Sequence, residues 1–578
     1  MLPNFDRGFV ATYLRPQWPR LVLLAVLLLA GISLQLANPQ LARTFVDQAQ
    51  GGAPFDRLLR IAVGFIVVAL LTQIATVAET YVAEDLGWRA TNALRVDLTE
   101  HVLTLDDSFH AEHGAGELIE RIDGDVSAIA GFFARFVVHV LGSALFLLGV
   151  LVLLWREDWR VGGLLTLFAL AAVTFMTRGG GSVGTRSRAA RQVNADLSAY
   201  LEERLSGLPD IKANGADAYT MRRLHERLAA RFEHGRHAVM AASMFSNTVN
   251  ALFVAGTAVA LVTSALLQRS GALTVGAVFL VFRYTGMLRL PLERLSRHMN
   301  SFEQATGGIV RVRELLGTVP RVVDGEGASI PGGPLSVEFD HVSFAYDDEL
   351  VLRDVSWRLE AGEVLGLLGR TGSGKTTISR LLFRLHDVTA GAVRLGGTDI
   401  SDARLDELRH RIGLVTQDVQ LFAGTLRDNV TLFDASVTDA QLRDVFASLD
   451  LERWLDELPE GLDTVLGSTG RGLSAGEAQL VAFARVFLKD PGLVVLDEAS
   501  SRLDPHTEQL LERAMSKLLE ERTGIVIAHR LTTVEHADSI LILDSGEVAE
   551  RGRRDDLANH PESRFSRLLR AGLGDVLA

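Results

Sequence analysis

Six apolar runs, each about as long as a bilayer is thick, stand within the first half of this 578-residue chain. They lie at about Leu21–Ala37, Ile61–Val77, Phe132–Trp155, Val161–Met176, Met244–Leu267 and Leu273–Leu290. A water-soluble core of this size cannot bury six such segments, so they predict membrane helices. A cleaved leader does not suit the first run: no A-x-A site follows it, and five more runs come after. Beyond Leu290 nothing is apolar enough to span.

The spacing of the runs adds sidedness. Connections after runs 1, 3 and 5 are short, whereas those after runs 2 and 4 are about 55 and 65 residues long and helical in pattern. Both long connections therefore lie on one side. The stretch Glu84–Asp125 is acidic and Arg178–Arg236 basic, and long loops report poorly on the positive-inside rule. Ahead of the first run, FDRGFVATYLR predicts a short amphipathic helix at the membrane surface, followed by Arg15 and Arg20.

Composition excludes several chemistries. With no cysteine there is no disulfide scaffold, thiolate zinc site, iron–sulfur cluster or cysteine nucleophile. A formal net charge of −13 argues against a nucleic-acid partner. Among 58 Lys and Arg only Lys212, Lys375, Lys489 and Lys517 are lysines. The 48% hydrophobic content is an average over two unlike halves. The predicted fold is an all-α membrane domain of six helices followed by an α/β domain, which the loop GRTGSGKT after an apolar strand marks as a P-loop ATPase domain. The expected boundaries are residues 1–310, a linker over 311–334 containing GEGASIPGGP, and 335–578.

The second half carries the chemistry. The strand pattern EVLGLLG runs into GRTGSGKT (Gly369–Thr376), and the helical TISRLLFRL follows. This is a G-x-x-x-x-G-K-[ST] loop between strand and helix, the context its mechanism requires. Gly369, Thr371, Gly372, Ser373 and Gly374 place backbone N–H groups around phosphates, and the positive helix end with Thr377 backs them. Lys375 reaches the β and γ phosphates, and the Thr376 hydroxyl holds Mg²⁺. A second apolar strand, GLVVLDEAS, ends in Asp497, a Mg²⁺ ligand, and Glu498, which polarises the attacking water. A third, TGIVIAHR, delivers His529 toward the γ phosphate.

Taken together, the chain resembles the ATP-binding cassette (ABC) transporters, and within them the exporter-type half-transporters. The resemblance implies that Tyr346 stacks on adenine and that Gln417 couples Mg²⁺ and water to the membrane domain. It places Leu473–Glu477 (LSAGE) at the signature position, with Ser474 and Gly476 facing nucleotide, and Ser501–Asp504 at a dimer-crossing loop in which Asp504 contacts the site. It also implies that Ser108–Ile129, with Phe, Gly-Glu-Leu and Arg-x-x-x-Asp-Val, and Tyr200–Ala216 dock into the ATPase. Two departures stand out. The usual Leu-Ser-Gly-Gly-Gln reads Leu-Ser-Ala-Gly-Glu here, which brings the Glu477 carboxylate near a polyanion unless it turns away. Ser468 stands where many exporters have a glutamate that touches the docking helices.

By the same resemblance, ATP lies between the Lys375 side of one domain and the Ser474 side of another. The working unit is then a dimer in the cell membrane, its termini, long connections and ATPase cytoplasmic. The altered signature favours a second, different half-transporter as partner over a homodimer. The expected activity is ATP-driven export of a hydrophobic or amphipathic cargo, a small molecule, lipid or peptide, by alternating access. An importer of the same architecture and a membrane-bound regulatory ATPase are the alternatives. Arg135, His139, Asn247, Asn250, Arg283, Tyr284, Arg289, Arg294 and Arg297 lie in or just beyond the spans. They either face a cavity for an anionic or hydrogen-bonding cargo, or snorkel and pair at the cytoplasmic continuation. Gly179–Gly181 reads as a hinge or as a close helix contact.

Overall fold

A computed structural model of the chain describes residues 7–135, 140–297, 299–347, 349–467, 472–497, 505–528 and 534–571. Two compact units result: Met1–Leu103 with Gly114–Thr318, and Thr104–His113 with Val319–Ala578.

The principal helices of the first half are α1 (Trp18–Gln50), α2 (Phe55–Thr104), α3 (Asp107–Glu112), α4 (Gly142–Glu157), α5 (Trp159–Ser206), α6 (Asp217–Arg269), α7 (Val275–Met287) and α8 (Arg289–Arg297). At 50 residues, α2 rises about 75 Å, over twice the roughly 30 Å hydrocarbon layer. The long connections predicted after runs 2 and 4 are thus continuations of the membrane helices themselves. Five described segments are long and apolar enough to cross a membrane: Ala11–Gln50, Phe55–Thr104, Trp159–Ser206, Asp217–Arg269 and Val275–Arg294. The predicted third span corresponds to α4, with 16 residues, and residues 136–139 just before it lie outside the described set, His139 among them. The last crossing segment extends to Arg294 rather than ending at Leu290, because the helix continues through α8 while hydropathy falls.

These helices are inverted relative to those of a soluble protein. On α2, Val63, Ile66, Leu70, Ile74 and Val77 form an exposed stripe at three- and four-residue spacing. Such a stripe is stable where lipid replaces water. Inward, Phe146, Val150, Leu154, Leu165, Phe253, Leu280 and Tyr284 form one buried cluster. Of the two roles open to Tyr284 from sequence, facing a cavity or pairing, the structure shows pairing: its hydroxyl donates to the Leu36 carbonyl at 2.8 Å and accepts from Gln40 Nε2 at 3.2 Å. Helix α5 runs unbroken through Gly179, where a Cβ would stand 2.7 Å from the Phe245 ring. That glycine serves close contact with α6. Arg289 pairs with Glu293 at 2.7 Å.

Polar ties fasten the unit at several levels. Arg20 Nε lies 3.0 Å from Asp85 Oδ2, and Asp47 accepts from Gly276 N at 2.8 Å and from the Thr274 hydroxyl at 2.9 Å. The Arg-x-x-x-Asp-Val pattern finds its use in Asp125, a buried carboxylate gripped by both arms of the Arg311 guanidinium, Nε standing 2.7 Å from Oδ2.

The second unit begins with a four-stranded antiparallel sheet. It is built from β1 (Val337–Tyr346), β2 (Glu349–Leu359), β4 (Ala390–Leu395) and the short strand Thr398–Asp399, in the order β2-β1-β4 and then the short strand. Beside it stands a six-stranded sheet of β3 (Val364–Gly369), β5 (Ile412–Val415), β6 (Leu493–Asp497), β7 (Thr523–Ile527), β8 (Ser539–Asp544) and β9 (Glu547–Arg553), ordered β9-β8-β3-β7-β6-β5. All its pairings are parallel except β8 with β9. Its five parallel strands, β3 and β5 to β8, are mostly apolar on both faces, as a parallel sheet covered by helices requires, whereas the antiparallel edge strand β9 is polar.

Alternate residues of these strands serve two different cores. Leu365, Leu367, Val495 and Ile527 face one cluster together with Ile378, Leu381 and Leu382 of helix α9 (Lys375–Leu382). Val364, Leu368, Val494 and Val526 face the other, with Leu480, Phe483 and Ala484 of helix α10 (Ala475–Lys489). Helices α9 and α10 therefore cover opposite faces of one sheet.

The Asp125–Arg311 grip gives an ordered prediction. Arg311→Ala strands a buried carboxylate and costs about 3 kcal/mol, while Asp125→Ala leaves a half-exposed guanidinium and costs about 1 kcal/mol. Thermal unfolding of the detergent-purified variants checks the order, and an equal loss in both refutes it.

Candidate functional site

Four parallel strands end beside one another, and the predicted site residues follow those ends. Strand β3 runs into the Gly-rich loop. Asp497 is the last residue of β6, paired with Ile527 at the end of β7. Gln417 comes two residues after β5 and is exposed. Ligands of open α/β sheets bind at such carboxyl ends. Glu498, His529 and Asp504 lie outside the described residues, as do Ser468 and Ser501–Leu503.

The loop itself is shaped by glycine. Gly372 and Gly374 hold φ of +80° and +105°, in the left-handed region where a side chain is strained, and a Cβ on Gly374 would lie 2.6 Å from Leu352. With no Cβ at either place, the loop can turn its N–H groups inward and start α9 at Lys375. The Lys375 side chain is buried and curls into the loop, Nζ donating to the Gly369 carbonyl at 2.6 Å and to that of Arg370 at 3.1 Å. Ser373 is also buried, and its Oγ has no hydrogen-bond partner among the described residues. A hydroxyl hidden without a partner costs about 1–3 kcal/mol, so this donor suits an anionic oxygen in the loop. Thr371 and Thr376 are exposed, and Thr377 is buried.

Tyr346 ends β1 with its ring edge-on to Phe344 at 4.8 Å and to His386 at 5.2 Å. Arg380, on α9, donates to the Tyr346 hydroxyl at 3.3 Å. The aromatic residue is thereby tied to the helix that begins at Lys375. Helix α3 sits against the same group: Asp107 Oδ2 stands 3.9 Å from Arg380 Nε and from His386 Nε2. Asp106, just ahead of it, accepts from the backbone N–H of Arg321 and, at 3.1 Å, of Val322. Sequence reading began the first docking stretch at Ser108 and so missed both aspartates, along with Arg380 and His386. The local sign was an Asp-Asp pair beside the Phe-containing pattern, and the contacts it makes are hundreds of residues distant in sequence. The second stretch, Tyr200–Ala216, ends in the short helix Leu208–Ala213, which has no buried residue.

The signature geometry answers the question raised by Glu477. Ser474 caps α10 in a reciprocal box: its Oγ accepts from Glu477 N at 3.3 Å, and Glu477 Oε2 accepts from Ser474 N at 2.7 Å. The other carboxylate oxygen, Oε1, accepts from the Trp454 indole at 3.2 Å. Both oxygens are thus engaged within the domain. A glutamine has one acceptor oxygen and can serve only one of these donors. Gly476 is buried in the first turn of α10.

Known proteins match along nearly the whole length. The family model for the ABC transporter transmembrane region matches residues 21–292, and that for the ABC transporter matches 352–501. An ATP-dependent lipid A-core flippase of Syntrophus aciditrophicus is 31% identical over 94% of this chain and 90% of its own length. The chain belongs to the ABC transporter family. A putative multidrug export ATP-binding/permease protein of Bacillus subtilis, YgaD, is 30% identical over 96% and 97%. A Mycobacterium bovis protein described as a fatty acid ABC transporter ATP-binding/permease protein is 30% identical over 80% and 74%. Among solved structures, a bacterial Atm1-family ABC exporter with ATP bound superposes with a TM-score of 0.77 and 26% identity, covering 96% and 98% of the two chains. This ABC exporter is a membrane protein whose cassette binds ATP and couples its hydrolysis to transport. Exporters of the family act as dimers.

Two outcomes follow from the side chains described. Glu477→Gln leaves one donor unserved, which costs about 1 kcal/mol and shifts Trp454 fluorescence; an unchanged emission spectrum refutes the contact. Burial holds the His386 imidazole below its ordinary 6.5, although Asp107 pulls the other way. Neutral His386 therefore contributes stability that is complete above pH 6.5 and is lost as pH falls below it. Thermal midpoints of the full chain should drop between pH 7 and 5.5, and less steeply in His386→Gln.

Proposed function

We propose that this ABC exporter moves an amphipathic or hydrophobic cargo out across the cell membrane, as one half of a dimer with both termini cytoplasmic. The observation that carries this reading is that the Gly-rich loop, Asp497 and Gln417 all follow the carboxyl ends of parallel strands in one sheet, β3, β6 and β5, in a chain whose other unit turns an apolar stripe outward. Relatives named for lipid A-core, multidrug and fatty acid transport support the substrate class.

In this reading the loop N–H groups, Lys375 and the N-terminus of α9 bind the phosphates, and Tyr346 stacks on the base. Thr376, Asp497 and Gln417 would hold Mg²⁺, which neutralises charge on the β and γ oxygens. Glu498 accepts a proton from the attacking water as its oxygen bonds to the γ phosphorus and the bond to the bridging oxygen breaks, leaving ADP with the electron pair. His529 donates to the γ phosphate. This chemistry is positioning and electrostatics throughout.

Dimerisation completes the site. Helices α9 and α10 cover opposite faces of one sheet, which supports the reading that Ser474 and Gly476 meet a nucleotide held by a second cassette. We assign the partner role to a different half-transporter, since the signature departs from Leu-Ser-Gly-Gly-Gln at both Ala475 and Glu477. A dimer of this chain alone, with full ATPase activity, overturns that assignment.

Transport in proteoliposomes tests the whole. Lys375→Ala, Glu498→Gln or removal of Mg²⁺ by chelation should each cut cargo-stimulated ATPase by at least about 100-fold. Cargo movement that persists without hydrolysis refutes the reading.

A further inference from the structure

Within the membrane unit, helices α1, α2, α4, α7 and α8 enclose a cavity of about 270 Å³. Leu28, Phe146 and Leu290 give it an apolar wall, and Glu79 and Arg294 both line it. Neither charge is placed where a membrane protein keeps idle ones. Glu79 is six residues from Asp85, about 9 Å of helix rise inward from the Arg20–Asp85 pair. Arg294 closes the last membrane-crossing segment. Ionisable groups inside a span are costly and face a partner or a cavity.

Opposite charges in one cavity would ordinarily close on each other. Here the Arg294 charge acts on Glu79, yet among the described residues the two form no ion pair and neither has a hydrogen-bond partner. Elsewhere in the unit the comparable groups are satisfied: Arg20 with Asp85, Arg43 with Glu157, Arg311 with Asp125. The lining adds further polarity. Ser143 is buried, and its Oγ has no hydrogen-bond partner among the described residues. Thr76 and Thr80 donate their hydroxyl protons to carbonyls one turn back on α2, which leaves their oxygens as acceptors. Gly31 on α1 packs beside the carboxylate, where a Cβ would make ordinary contact at 3.6 Å from Glu79 Oε2. Gln35 supplies an amide on the same wall.

A single ligand satisfies all of these if it carries both charges. We infer that this cavity binds the head group of a zwitterionic amphiphile, its ammonium against Glu79 and its anionic group against Arg294. The volume is below the roughly 300–1,000 Å³ of a pocket for a whole drug-sized ligand. A head group therefore enters and the acyl chain stays along the apolar wall or in lipid. The inference rests on the export reading for its physiological sense, since it names the cargo class for that reading.

Binding to the purified full-length protein in nanodiscs tests it with four probes of equal chain length: lysophosphatidylethanolamine, lysophosphatidic acid, a long-chain alkylamine and a monoacylglycerol. The wild type should prefer the zwitterion by about tenfold or more, the scale of one charge-assisted contact. Glu79→Gln should lower zwitterion affinity to that of lysophosphatidic acid and leave the latter unchanged. Arg294→Gln should lower it to that of the alkylamine. Basal ATPase verifies folding of each variant, and Glu79→Asp, which keeps the carboxylate, should retain the preference. Equal affinity of the wild type for zwitterion and monoacylglycerol, or a preference surviving in both Gln variants, overturns the inference. Preferential binding without ATP-driven movement of the zwitterion in proteoliposomes would remove the export reading and leave the site, whereas movement with no head-group preference would do the reverse.

Discussion

Strand β3 is the constraint on which the ATPase unit hangs. None of its six residues reaches solvent, and its side chains alternate between two separate cores. With both faces apolar and both edges paired to β7 and β8, the strand can expose polar backbone only where it ends. The Gly-rich loop begins there, and its inward N–H groups are the one place along β3 where an anion can meet the backbone. The same two-faced burial puts α9 and α10 on opposite sides. Helix α9, which starts at Lys375, and helix α10, capped by Ser474, are thereby held apart by the thickness of the sheet.

The membrane unit obeys a different economy of charge. Lipid supplies no hydrogen bonds, so the Arg20–Asp85, Arg43–Glu157 and Arg311–Asp125 pairs and the Tyr284, Asp47 and Thr274 bonds, which join one helix to another, carry weight there. They set helix register much as a buried polar residue sets it in a coiled coil. The apolar stripe on α2 contributes nothing of that kind, because any rotation that keeps it in lipid is equally good. Specific arrangement of these helices therefore comes from a small number of polar side chains, and a residue such as Arg311 acts over the whole unit through one contact.

Much of this was legible in the sequence. The apolar runs gave the membrane helices because lipid imposes a length that nothing else in the chain satisfies, and GRTGSGKT stood out because its strand and helix flank it. Asp497 was readable as the end of a buried strand. The features that escaped reading are tertiary. Arg380 and His386 lie on the far side of the P-loop from Asp107 in sequence, and their meeting has no local sign. Glu79 is a single acid near the end of an apolar run, where an acid usually marks the exit to water, and only the fold reveals it beside a cavity. Hydropathy placed the last span's end at Leu290 because Arg289, Glu293 and Arg294 lower the average while the helix continues. The Glu477 question needed Trp454, twenty-three residues away.

Residues Thr104–His113 belong to the ATPase unit although the chain on either side of them belongs to the membrane unit. The polypeptide consequently passes between the two units three times, after Leu103, after His113 and after Thr318. The ten residues Thr104–His113 are thus enclosed in sequence by the first unit, yet Asp106 and Asp107 find their partners in Arg321, Arg380 and His386 of the second.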